Sequence, residues 1–566
     1  MAGGAIKVEG GGRSHLYTGH TTFAVVMIAI VAASGGLLFG YDNGITGGVI
    51  SMRNFAELFF PEELAQHANS NGYCMFNDQI LQLFTSSLFL AGAFAALVGM
   101  VLCKKMGRRF TMIMGGLCFI IGTILVASAF HIAQLVIGRL VLGVGVGLAT
   151  QATPLYLSEM APYNMRGALN ILFQLAVTIG IFAAQLINYG TQHIYPWGWR
   201  LSLALAGVPG LMLFLGALVL PDTPNSLIER GKLEQGEKVL QRIRGVEDVT
   251  VELEDIVDAV NVSRTIVNPW ATILRRRYRP QLVISILIPT FQQWVGINAI
   301  IFYAPQLFQT TGSGANAALL NTVIIGAVNV ACTVVAILVV DRFGRKFLLI
   351  EGGIQLVICE FIVGALIASS LGTSGVGTIE TPKANAMIAF ICIYIAGFAW
   401  SWGPLGWLVP SEIQPLETRA AGTGVNTFCN LLMTFVVGQT FLSMLCAMKF
   451  GVFFFFGGIG LIAILFAIFF IPETKNVPIE EIEELVVHRH WFWRRVVAGT
   501  KAPVNALRSG SSIVQIQRDA AGRSRLSMVN PEQAKQLGAL DMTGDTAAPR
   551  SYSAMGQRPD VEQLRH

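Results

Sequence analysis

Residues 281–340 read QLVISILIPTFQQWVGINAIIFYAPQLFQTTGSGANAALLNTVIIGAVNVACTVVAILVV, a run without a single Asp, Glu, Lys or Arg. A helix crossing a bilayer needs about 20 predominantly apolar residues, so this stretch has room for two. Inside lipid the backbone must satisfy its own hydrogen bonds, which makes each crossing helical. A buried helix of a large soluble protein is the other reading of one such run. Three further charge-free stretches, 110–138, 384–411 and 420–448, exclude it. The chain is 53% hydrophobic and 13% charged, against about a quarter charged in soluble domains. The fold class expected is an all-α membrane protein.

Working outward, apolar runs between polar breaks mark about twelve spans, near 22–50, 80–103, 110–130, 134–155, 168–190, 200–220, 281–308, 318–340, 347–370, 385–410, 421–446 and 451–471. A polar start precedes a first run too long for a signal-peptide core, so span one reads as a retained signal anchor. Lys104, Lys105, Arg108 and Arg109 follow span two, Arg342, Arg345 and Lys346 follow span eight, and Arg275, Arg276, Arg277 and Arg279 close the central loop. By the positive-inside rule these loops and both termini face the cytoplasm. The eight cysteines include no CxxC pair, which excludes a zinc module and a small disulfide scaffold, and no metal site is expected. No concentrated basic face suggests nucleic acid. No GxxxxGK[ST] loop suggests an ATP-driven pump or an enzyme, and no cofactor is implied.

Polar motifs recur in the two halves of the chain. Gly107-Arg108-Arg109 corresponds to Gly344-Arg345-Lys346, Ser158-Glu159 with Arg166 to Ser411-Glu412 with Arg419, and Pro221-Asp222-Thr223 to Pro472-Glu473-Thr474. The offsets are 237, 253 and 251 residues, which argues for duplicated six-helix halves, the layout of a major facilitator. The expected segments are 1–21, a cytoplasmic start; 22–221, an N-terminal bundle with an extracellular lid loop at 51–79; 222–280, a cytoplasmic helical linker; 281–475, a C-terminal bundle; and 476–566, a largely disordered cytoplasmic tail. The tail begins HRHWFWRR at 488–495, which suits either the inner leaflet or a solvated chain. Arg108, Arg109, Glu159, Arg166, Asp341, Arg345, Glu412 and Arg419 form a candidate conformational switch. Acids and arginines at helix ends can pair across the bundles when the inner side is closed; simple topology anchoring is the alternative.

The same residues carry a resemblance. Asp341-Arg342-Phe343-Gly344-Arg345-Lys346, Pro154-Leu155-Tyr156-Leu157-Ser158-Glu159, Gly138-Arg139, Pro221-Asp222-Thr223-Pro224 and Pro472-Glu473-Thr474-Lys475 resemble the sugar-porter signatures of the major facilitator superfamily. Gln292-Gln293 with Gly296-Ile297-Asn298 resembles its sugar-binding seventh helix. Phe39-Gly40-Tyr41-Asp42-Asn43-Gly44 and Phe398-Ala399-Trp400-Ser401-Trp402-Gly403-Pro404 are similar to plant and green-algal monosaccharide–proton symporters, above all algal hexose uptake carriers. The resemblance covers about residues 20 to 495. It implies alternating-access uptake of a hexose with a proton, at the plasma membrane and as a monomer in the lipid bilayer. A passive facilitator and a sugar sensor are the alternatives.

Asp42 lies late in outward-running span one and Arg139 early in inward-running span four, so both sit at similar depth on the outer half. An isolated charge there costs at least about 2.5–3.5 kcal/mol, so the two should pair. Protonation of Asp42 would break the pair and free the helices, the role the resemblance also assigns; a static ion pair is the alternative. A hexose is neutral and rimmed with hydroxyls, and amide side chains with aromatic rings match it. Gln174, Gln292, Gln293, Asn298, Asn329 and Asn430 supply amides, and Phe39 and Trp407 supply rings. Amides in spans can instead be helix-to-helix glue, and Trp400 can be a gate or packing. Glu360, inside span nine, reads as a carboxylate without a direct role, a relay group being the alternative. Cys74 before span two and Cys446 ending span eleven fall on the oxidising side. As in family members with a lid, they are expected to form a disulfide tying 51–79 over the outer mouth, with two free thiols as the alternative.

Overall fold

The computed structural model describes residues 22–61, 72–74, 76–162, 166–265, 269–310, 314–375, 379–415, 418–475, 489–498, 513–518 and 524–529. Among them, twelve helical spans are long and apolar enough to cross a membrane. They are Val25–Ile50, Gln79–Lys105, Arg108–Ala127, Ile132–Met160, Ile171–Thr191, Gly198–Val219, Arg276–Gln309, Asn316–Phe343, Arg345–Leu371, Thr381–Ile413, Ala421–Met448 and Gly451–Phe470. Numbered one to twelve, they match the expected spans to within a few residues at most ends. Polar side chains start the first two: the Thr22 hydroxyl accepts from the Val25 amide, and Asp78 accepts from the Leu81 amide at 2.7 Å.

Small residues bring the helices together. A Cβ added at Gly143 or Gly147 of span four would overlap the Leu88 or Gly92 carbonyl of span two, and one at Gly40 of span one would overlap the Val177 carbonyl of span five. Lipid supplies no hydrophobic drive between apolar helices, so close backbone approach through glycine is what lets dispersion hold these pairs. The halves meet where span two packs on eleven, five on eight, and one on the later part of seven.

Spans seven and ten are broken. Span seven divides into Arg279–Trp294 and Ile297–Thr310 at Gly296, where φ is +87°, a conformation glycine adopts without a Cβ penalty. Span ten divides into Thr381–Trp400 and Trp402–Ile413 at Ser401, with φ −122° and ψ −95°. These breaks place backbone carbonyls beside the bundle interior, where side chains must satisfy them.

The sequence repeat is a structural one. Arg108 Nη2 lies 2.8 Å from Glu159 Oε1, and Arg345 Nη2 lies 2.8 Å from Glu412 Oε1. The second oxygen of each glutamate accepts from a threonine hydroxyl, Thr223 for Glu159 and Thr474 for Glu412. Asp222 accepts the Arg109 amide at 3.3 Å, as Glu473 accepts the amides of Arg345 and Lys346 at 3.0 Å each. Each carboxylate thus caps the start of span three or nine from the end of span six or twelve, favourable at a helix N-terminus.

Among the described residues, four short helices run between the halves, Pro224–Glu229, Leu233–Arg244, Thr250–Thr265 and Pro269–Ile273. Arg244 of the second donates to the Met160 and Ala161 carbonyls ending span four and to Glu252. Trp493–Val497 is helical. The Trp491 and Trp493 indoles donate to the Phe469 and Phe470 carbonyls, which span twelve leaves without helical partners. Separately, Ile513–Arg518 and Ser524–Val529 form an antiparallel ribbon with Ile513 opposite Val529. Ile513, Val514 and Ile516 give its first strand the β-branched content that favours this state.

Candidate functional site

Asp42 and Arg139 meet. Arg139 Nη1 donates to Asp42 Oδ1 at 2.6 Å, with 0% and 3% of the two side chains exposed. Arg139 Nη2 donates to the Thr46 hydroxyl at 3.0 Å, which itself donates to the Asp42 backbone carbonyl at 3.0 Å. The guanidinium stands 4.3 Å from the centre of the Phe84 ring, a cation–π contact in a desolvated place. Asp42 Oδ2 and Arg139 Nε have no hydrogen-bond partner among the described residues. The pair is therefore held through one carboxylate oxygen, and the other is open to a proton. Protonation would leave Arg139 with Thr46 and Phe84 but without its counter-charge. Thr46 was not singled out from the sequence, although its place one turn beyond Asp42 on the same face could have marked it; no sequence signal marks Phe84, which belongs to another helix.

The amides divide into two groups. Gln292 Nε2 donates to the Trp402 and Gly403 carbonyls at 2.8 and 2.9 Å, just past the break in span ten. Its Oε1 accepts from Asn430 Nδ2 at 2.6 Å. Gln293 Oε1 accepts from Asn298 Nδ2, which also reaches the Thr434 hydroxyl at 3.3 Å. These four tie spans seven, ten and eleven together. Asn430, although it donates to Gln292, keeps its Oδ1 buried without a partner among the described residues, as does Asn329; both oxygens are acceptors of the kind that hydroxyl donors suit. Gln174 is buried in span five. Its neighbour Phe173 stands edge-on to half-buried Trp407, ring centres 5.8 Å apart. Phe39 stands edge-on to Phe89, and Phe89 stacks on Phe302 of span seven at 5.2 Å. An aromatic file therefore runs from span one, beside the ion pair, to span seven.

The expected switch residues form a different arrangement from pairs across the halves. Arg108–Glu159 and Arg345–Glu412 each close within one half, because each glutamate ends a helix whose neighbour starts with the arginine. Arg108 further pairs with Glu229 at 2.9 Å and Arg345 with Asp341 at 3.0 Å. The Arg109 side chain donates to the Ala217 and Leu218 carbonyls at the end of span six. The Arg166 side chain lies outside the described residues, while Arg419 starts the helix leading into span eleven.

Cys74 and Cys446 are disulfide-bonded with Cα atoms 4.5 Å apart; Cys103, Cys118, Cys332, Cys359, Cys392 and Cys429 are free. Next to the disulfide, Gln79 Nε2 donates to the Ser443 hydroxyl at 2.8 Å and the Ser86 hydroxyl to Gln439 Oε1 at 2.6 Å. Spans two and eleven are thus joined by a covalent bond and a neutral polar row.

Comparison with known proteins bears on these features together. The family model described as "Sugar (and other) transporter" matches residues 28–486. Sugar transport protein 10 of Arabidopsis thaliana is 53% identical over 500 residues, 88% of this chain and 97% of that protein. Sugar transport protein MST3 of Oryza sativa subsp. japonica is 53% identical over 511 residues, 89% and 98% of the two chains. Among solved structures, the proton:xylose symporter XylE bound to 6-bromo-6-deoxy-D-glucose aligns with a TM-score of 0.70 at 28% identity, covering 82% of this chain and 99% of that one. With twelve spans, a structural repeat and this match over most of its length, the chain belongs to the sugar transporter family of the major facilitator superfamily.

Proposed function

We propose that the protein carries a hexose into the cell together with a proton by alternating access. The observation that carries the proton is the buried Asp42–Arg139 pair, with one carboxylate oxygen free to be protonated. The relatives' description as sugar transport proteins and XylE's as a proton symporter support the reading. Sugar hydroxyls bind among Gln174, Gln292, Gln293, Asn298, Asn329 and Asn430, with Phe39 and Trp407 against the C–H faces. Proton arrival at Asp42 releases Arg139, and the halves then rearrange about the site. The carboxylate–arginine clusters ending the spans of each half hold those halves as bodies that move. The protein works as a monomer in the plasma membrane. Its N-terminus, the linker 222–280 and the tail face the cytoplasm, and the loop 51–79 covers the outer mouth.

The test is uptake of several labelled hexoses into proteoliposomes under an imposed pH gradient, with and without a proton-collapsing agent. With one proton per sugar, each pH unit is worth about 1.4 kcal/mol and supports about tenfold accumulation. Asp42→Asn should equilibrate sugar across the membrane without concentrating it. If that variant accumulates sugar as the parent does, the role given to Asp42 is wrong; if the parent never accumulates, the protein is a facilitator.

A further inference from the structure

Span nine holds a carboxyl that the Asp42 chemistry does not use. Glu360 is 3% exposed, and its Oε2 is enclosed without a hydrogen-bond partner among the described residues. It lies against the break in span seven: a Cβ added at Gly296 would stand 3.1 Å from Glu360 Oε1 and 3.1 Å from Phe456. The groups facing it are Gly296 of span seven, Tyr394 of span ten and Gly457 of span twelve, with Cys359 beside it on its own helix. Tyr394 is occupied, its hydroxyl donating to the Val295 carbonyl at 2.5 Å. No lysine, arginine or histidine among the described residues contributes to this shell.

We propose that Glu360 is a second proton-binding group, and that its charge sets the bend of span seven at Gly296. Proton uptake forms one O–H bond on the carboxyl, and release returns the proton to water; no other bond changes. As the neutral acid, Glu360 fits the apolar shell described above. As the carboxylate, it has no counter-ion there, so ionisation favours any arrangement that admits water to it. Of its two glycine neighbours, Gly457 lies inside the continuous helix of span twelve, whereas Gly296 sits at a break with φ +87°, where the backbone can turn without a Cβ penalty. Gln293 and Asn298 flank that hinge, so its swing moves two amides of the central site. A proton can bias two conformations only if it binds them unequally, and the contrast between a dry and a hydrated Glu360 supplies the inequality. This coupling is separate from Asp42, which lies in the other half.

The test is hydrogen–deuterium exchange of the ligand-free protein at acidic and mildly alkaline pH, corrected for the intrinsic pH dependence of amide exchange. In the parent, peptides covering 291–303 should exchange about tenfold faster at the higher pH, one decade in the opening equilibrium. Glu360→Gln, which mimics the neutral acid, should remain protected at both. Asp42→Asn should keep the parent's response. A parent without pH response in 291–303, or a Glu360→Gln protein that still shows it, overturns the proposal. Should Glu360→Gln not fold, Glu360→Met makes the same comparison, and the parent measurement stands alone. No sugar or gradient is used, so this outcome is independent of whether Asp42 drives symport.

Discussion

Gln292 and Asn329 are both buried amides, yet the protein uses them differently. Gln292 spends both donors and an acceptor lone pair on spans ten and eleven, whereas Asn329 Oδ1 has no partner among the described residues. Asn329→Ala should weaken sugar binding by about 1–3 kcal/mol while leaving thermal unfolding in detergent nearly unchanged. Gln292→Ala should lower both, because it also removes the bonds that tie span seven to spans ten and eleven. Calorimetric titration beside an unfolding scan separates these outcomes, and equal destabilisation by the two variants would make Asn329 structural glue. Asp42 and Arg139 were legible in the sequence because charges inside spans are rare and need partners. The division of labour among the amides was not, since cross-helix hydrogen bonds leave no mark on either helix. The same holds for Phe84 under the guanidinium.

At the scale of elements, Gly107 and Gly344 show why the repeated motif needs glycine. Their φ values are +101° and +92°, and a Cβ at Gly344 would stand 2.8 Å from Glu473 Oε2, the carboxylate that caps span nine. Gly344→Ala meets both the backbone penalty and the displaced cap. It should cost about 1–3 kcal/mol of stability, read as a lower unfolding midpoint. Repeats of this kind are legible because polar residues at helix ends stand out against apolar spans. The break at Ser401 and the docking of the aromatic tail segment depend on partners distant in sequence. That docking should respond to pH. Partial burial and then the nearby Lys346 charge hold the His490 imidazole below its ordinary value of 6.5. A histidine with a depressed folded value stays neutral when docked. Docking therefore contributes fully above the ordinary value and weakens as pH falls through the depressed one. Trp491 fluorescence should report release of the segment on acidification, and His490→Phe should remove that response; a Trp491 signal independent of pH would refute it.

For the molecule as a whole, three of the contacts between the halves near the disulfide-bearing face are unequal in strength. Spans two and eleven are tied by Cys74–Cys446. Spans one and seven are joined by Gln306 Nε2 donating to the Gly47 carbonyl at 2.9 Å and to the Ser51 hydroxyl at 3.1 Å. Spans five and eight are joined by an exposed bond from Gln192 Nε2 to Asn316 Oδ1 at 2.7 Å. Hydrogen bonds between neutral groups contribute only about 0.5–1.5 kcal/mol each, whereas the disulfide stays closed in an oxidising medium. If transport opens this face, the halves must part at the second and third contacts and pivot about the first. Crosslinking Gln192→Cys to Asn316→Cys with a thiol-specific reagent, after replacing the six free cysteines, should stop uptake, while the native disulfide permits it. Sugar should still bind from the opposite face, so binding survives where transport does not. Uptake at the parent's rate in the crosslinked protein would show that spans five and eight stay together, and the pivot would then lie elsewhere.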